Sequence, residues 1–330
     1  MRTPVLLLLV VSAATALAAS AGHPRTLLYV DNSLGDDLTV IDLGRLSVAE
    51  TIKVGREPHG LCAASDGRTL FTTIESEKTL KSIDTATGRI LDTIALTGSP
   101  NQCAATPDGR YVGVPIRDGN SVDIVDMSLK KVVKVLPIRD PHNCFNTGGS
   151  NHLYVSSMGD KEVDIVDVKT MAYSGRIPTG GIPRPFAVSN DEKTLYSALT
   201  DLHGFVIADI PGRRIMERVQ LPSAPPLDCP LERNTPTHGL ALTPDGKQLW
   251  VTSLADGGVY VYDLGTRKTS AMIHVGKCPN WIAFSPDGRY CAVSNSDSDD
   301  CSIIDARTQR ELARPKTGRA PKRVLIVNVP

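Results

Sequence analysis

An aspartate that closes an apolar stretch recurs seven times, at Asp42, Asp84, Asp126, Asp167, Asp209, Asp263 and Asp305, in steps of 42, 42, 41, 42, 54 and 42 residues. A period of that length, sustained along most of a chain, leaves few solutions. Each unit must be one supersecondary element that buries its apolar face against its neighbours. The unit is clearest from Lys277 to Gly318. It holds a leading proline, Pro279, then an apolar strand, a Pro286-Asp287-Gly288 turn, a second strand, an acidic loop, a strand ending at Ile304-Asp305 and a closing strand. Four short strands divided by turn residues make one propeller blade, so the repeat predicts an all-β, seven-bladed β-propeller of four-stranded antiparallel blades.

The leading proline recurs at Pro58, Pro100, Pro141, Pro183, Pro279 and Pro321, with Thr237 in the matching place. The one long step has a single cause, an insertion from Ser223 to Asn234. Residues Thr26 to Gly55 supply three strands but no first one, whereas Arg319 to Pro330 supply a leading proline and an apolar strand with nothing after it. The C-terminal strand is therefore expected to complete the N-terminal blade and close the ring, which removes free sheet edges. With no linker or low-complexity tract between repeats, residues 22–330 read as one propeller domain.

Residues 1–21 read as a secretory signal peptide. They carry Arg2, an apolar run from Val5 to Val11 too short for the ~20 residues of a membrane span, and small residues at Ala16 to Ala21. The mature chain is expected to be exported, periplasmic or extracellular. A formal net charge of zero gives no field for nucleic acid or a membrane surface. Seven cysteines cannot all pair. Cys103, Cys144, Cys291 and Cys301 stand where other repeats carry bulky apolar residues and read as small core residues. Cys229, in the insertion, and Cys278, beside a leading proline, fall on one face and are the better disulfide candidates.

The PDG turns, the second strands Leu28-Tyr29-Val30 and Leu153-Tyr154-Val155, and the V-x-I-D endings resemble the YVTN family of seven-bladed propellers and are similar to the YncE and lactonase-like group. The likeness covers roughly residues 26 to 330. It implies the fold, while the family includes binding proteins, surface proteins and enzymes and so selects no chemistry. Two repeats depart from it, with GGS at Gly148 to Ser150 and NDE at Asn190 to Glu192 in place of PDG.

The residues directly after the leading position are all polar: His59, Asn101, His142, Arg184, His238, Asn280 and Lys322. They fall where inner strands converge at one mouth of the channel, and convergent polar groups in a concavity are the usual mark of a ligand site. Parity along the strand adds Gln102, Asn143, Trp281, Arg323 and Cys62 as channel-lining residues near that mouth, while the third and fifth places are expected to pack between blades. The insertion begins at the same mouth and is expected to act as a lid or collar.

Two functions follow. The first is binding of a small polar or anionic ligand, or a protein partner, at the mouth. The alternative is an enzyme, a lyase or lactonase with His142 or His238 as general base and Arg184 or Lys322 stabilising an anion. A metal-dependent oxidase or hydrolase is its variant: His59, His142 and His238, roughly 100 to 150 degrees apart around seven blades, would supply three imidazoles to Zn, Cu or Fe. The chain holds no G-x-S-x-G, H-E-x-x-H, Walker-type or C-x-x-C-H motif. Oligomeric state is left open.

Overall fold

The alternating apolar pattern of each repeat becomes four antiparallel strands that lie side by side in chain order, from the centre outward. The computed structural model describes residues 25–222, 228–230 and 235–330; the expected signal peptide and most of the insertion lie outside the described residues. The first full blade runs from Pro58–Ala63 through Thr69–Ile74 and Thr79–Asp84 to Ile90–Ala95. Five further sheets repeat that order. The seventh is the closing blade, in which Pro321–Val329 pairs antiparallel with Arg25–Asn32, Leu27 facing Val327 and Tyr29 facing Leu325. The ring is thus a seven-bladed propeller sealed by its C-terminal strand.

The periodic residues owe their places to local hydrogen bonding. Asp84, Asp263 and Asp305 end third strands by accepting the backbone N–H of Thr87, Thr266 and Thr308 at 2.7–2.8 Å, a side-chain turn that stops the ladder. In the PDG turns, Asp108 accepts from the Thr106 hydroxyl (2.6 Å) and Arg110 N (3.0 Å), while Gly109 takes a φ of 68° that a side chain disfavours. Inner and middle strands are buried on both faces. Outer strands such as Ser47–Lys53 are largely exposed. Between blades the apolar faces meet: Leu38 and Val40 of the closing blade share one core with Leu61, Leu70 and Ile83 of the first.

Two blades deviate. The outer strand of the fifth is split into Lys268–Thr269 and Ile273–His274. In the second, the inner strand shrinks to Ala104–Ala105 and a single bridge from Pro100 to Ile116, opposite Pro115, which has no N–H to offer.

Candidate functional site

In six inner strands the pairing register slips just after the leading residue, between Pro58 and Gly60, Pro141 and Cys144, Pro183 and Phe186, Thr237 and Leu240, Pro279 and Ile282, and Pro321 and Val324. Each slip is a bulge, which removes residues from the ladder and re-aims their side chains. The freed N–H groups are met by one repeated hydroxyl near the end of the second strand. Asn143 N donates to Ser156 Oγ (2.8 Å), Gly239 N to Thr252 Oγ1 (2.7 Å) and Trp281 N to Ser294 Oγ (3.0 Å). The hydroxyls also reach forward to the next blade: Ser294 donates to Lys322 O, and Thr73, in the same register, to Asn101 O at 2.6 Å. Sequence reading missed this latch, although Thr73, Ser156, Thr252 and Ser294 stand at one repeat position.

In the closing blade that position is Asp31, whose Oδ1 accepts from Arg323 N (2.6 Å) and Lys322 N (3.1 Å). Burial pushes its carboxyl up to about 7, against the pull of the Arg323 charge. Arg323 itself is 1% exposed. Its guanidinium lies 4.1 Å over the Trp281 ring and donates to Gln102 Oε1 and Asn101 Oδ1, each at 3.2 Å. Trp281 in turn meets His238 edge-on, with ring centroids 6.0 Å apart. A polar plug therefore runs from the second blade through the seventh and sixth to the fifth. Trp281, expected to line the channel, thus stacks on a residue of the chain's own.

The three histidines converge on protein partners. His59 Nδ1 lies 2.9 Å from Glu75, His142 Nδ1 meets Asn143 Oδ1 with its Nε2 3.4 Å from Arg184, and His238 Nδ1 meets Asn280 O at 3.0 Å. Burial drives His59 down to about 4, and burial with the nearby Arg184 charge holds His142 well below the ordinary imidazole range. Among the described residues no three His, Cys, Asp or Glu side chains are grouped to hold a metal ion, so the triad expected for Zn, Cu or Fe is not assembled. Equivalent repeat positions set angle around the ring, but each imidazole is drawn to its own neighbour instead of the axis. His203, in the strand Leu202–Asp209, is buried and bonded to Ser253 Oγ (2.8 Å) and Asp256.

The open space lies beyond the plug. A cavity of about 380 Å³ has Gln102, Asn143 and Trp281 at one end and the turn residues Ser65, Gly148, Pro244 and Pro286 at the other. Of the eleven binding candidates, those three line it. His59, Asn101, His142, Arg184, His238, Asn280, Lys322 and Arg323 stand outside its lining. The cavity thus lies on the turn side, while Arg323 and Trp281 stack on one another towards the leading-residue side. Its walls include Cys62, Cys103, Phe145, Phe186 and Phe284, several of which the parity argument had assigned to packing between blades. At its polar end Asn143, 2% exposed, keeps Nδ2 without a partner among the described residues, as fully buried Asn280 does for both amide atoms.

The insertion is tied to the opposite, plugged side. Cys229 is bonded to Cys278, with Cα atoms 5.6 Å apart, and the pair is packed with buried Leu254. That is the pairing expected from sequence.

The sequence model of a family described as YNCE-like beta-propeller matches residues 4–221. Antigen Lp49 of Leptospira interrogans is 27% identical over 146 residues, which is 43% of this chain and 30% of that protein, so the chain spans less than a third of that relative's length. Among solved structures, hydrazine synthase of Kuenenia stuttgartiensis superposes with a TM-score of 0.69 at 20% identity, over 82% of this chain and 95% of that one. A functionally unknown protein from Desulfotomaculum acetoxidans reaches 0.76 at 12% identity, over 92% and 99%. At those identities the superpositions show a shared fold.

Proposed function

From the premise that this chain belongs to the YNCE-like β-propeller family, we propose that it is an exported binding protein that holds a small, acceptor-rich organic molecule in the turn-side chamber. Family and fold leave the chemistry open, so the reading rests on the site. The observation that carries it is the buried Asn143 amide at the chamber's polar end, its Oδ1 engaged by His142 and its Nδ2 unpartnered. A buried donor without an acceptor is costly, of order 1–3 kcal/mol, unless something supplies one. A carboxylate or carbonyl at that end would meet Asn143, with Arg323 just behind Gln102 favouring negative charge. The aromatic walls then cover an apolar body, and about 380 Å³ suits a small molecule. Binding is favoured over catalysis because each of the three imidazoles has a protein hydrogen-bond partner.

The test is a thermal-shift and calorimetric screen of small mono- and dicarboxylates with aliphatic or aromatic bodies. Asn143→Asp keeps the acceptor for His142 but removes the donor and adds charge, so a hit is expected to weaken at least ~10-fold, about 1.4 kcal/mol. Equal binding to both proteins, or no hit with the wild type, would sink the reading. Export is supported by the composition of residues 1–21 and by a disulfide, which persists in oxidising compartments. The mass of protein from the exported fraction should start after the Ala16–Ala21 region; retention of Met1 would refute export.

A further inference from the structure

We propose that Cys62 and Cys103 join in a second disulfide on the wall of the central chamber, a cross-blade clamp formed by exchange with a disulfide oxidant. Their Sγ atoms are 2.7 Å apart. Non-bonded heavy atoms rest at about 3.5–4.0 Å, and a sulfur–sulfur bond is about 2.05 Å. The two residues sit on inner strands of neighbouring blades, which approach closely beside them. A Cβ placed on Gly60 would lie 2.9 Å from Gln102 Cα and 2.7 Å from Asn101 O. Backbones that close meet the reach of a disulfide, whose Cα atoms are usually about 4.4–6.8 Å apart.

Both residues line the chamber wall and are buried in the closed ring, so the incoming disulfide reaches them before the blades have fully docked. The step is balanced by the oxidant. One cysteine thiolate attacks a sulfur of the incoming disulfide and expels one thiol; the second cysteine then attacks the mixed disulfide and expels the other. Two S–H bonds and one S–S bond are lost, one S–S bond and two S–H bonds form, and the electron pair ends on the released thiols. Burial raises the Cys62 thiol well above its ordinary range, which slows attack once the blades have closed. The bond is therefore made while the first two blades dock, and afterwards the same burial shields it from reductants. Cys144 lines the same chamber and is the competing partner.

The experiment counts thiols. The chain is refolded in a glutathione redox buffer, quenched with acid, unfolded and titrated with Ellman's reagent. The Cys229–Cys278 bond is the internal control, confirmed by a non-reducing peptide map. Of the five remaining cysteines, three are expected to react. Cys62→Ala should raise the count to four, because Cys103 is released; were all five free, the same substitution would lower it from five. The map must also show the Cys62 and Cys103 peptides joined. Five reactive thiols with the control bond intact, or a map joining Cys144 to either residue, overturns the proposal.

Discussion

Arg323 is the side chain on which the centre of the molecule turns. It is buried, stacked on Trp281 and donates to two amide oxygens from another blade. Arg323→Met would take the charged donor from Asn101 Oδ1, which keeps the Gln102 N–H at 2.8 Å, and would leave the buried Gln102 Oε1 without its guanidinium donor. It should cost about 2–4 kcal/mol in urea unfolding, and a loss below about 0.5 kcal/mol would show that the plug is incidental. Arg323→Lys should recover part of the loss, since an ammonium carries charge but no flat fork.

Asp31 and His59 give opposite pH signatures. The Asp31 carboxyl is raised to about 7 in the folded protein from 3.8, so its contribution is full below about pH 4 and lost as pH rises through 7. Asp31→Asn keeps an acceptor for the Arg323 and Lys322 N–H groups, and its melting temperature should gain on the wild type between pH 4 and 8. His59 is lowered to about 4 from 6.5, so its contribution is present above pH 6.5 and lost as pH falls through 4. His59→Asn should flatten that acid-side decline. Parallel curves for variant and wild type would refute either assignment. At this scale the eleven candidates read from the sequence include the five residues that build the plug, Asn101, Gln102, His238, Trp281 and Arg323. The sequence did not show that they would satisfy one another.

Strands and turns were the most legible level. The terminal aspartates and PDG turns act within a few residues, so sequence spacing alone places them. Bulges are different. A one-residue slip in the inner strand depends on how the second strand meets it, and it defeats a parity count that starts at the proline. The hydroxyl latch that accompanies the slip can be tested at Thr252, which accepts from Gly239 N and lies 3.4 Å from Asn280 O in the next blade. Thr252→Val has nearly the same shape but no hydroxyl. It should destabilise by about 1–3 kcal/mol by leaving a buried N–H unmet; an unchanged urea midpoint would dismiss the latch.

For the whole ring, closure is the decisive contact. The final strand buries Val324, Ile326, Val327 and Val329, each 2–6% exposed. At about 1.5–3 kcal/mol per buried side chain their loss is comparable to the about 5–15 kcal/mol that holds a typical domain. A chain ending at Ala320 should lose its cooperative melt, and unchanged melting would refute closure as the source of stability.

The amino-acid order alone settled the number of blades, the direction of each strand and the closure of the ring, and it marked Cys229 and Cys278 as the better disulfide candidates. Those features repeat or follow from local chemistry, and seven copies of one pattern reinforce a single answer. Which residues would face open space was decided only in three dimensions. Arg323 and Gln102 lie 221 positions apart and meet because both project to one axis. Repeat position did not foretell that Arg323 and Trp281 would stack on one another towards the leading-residue side, with the cavity on the turn side.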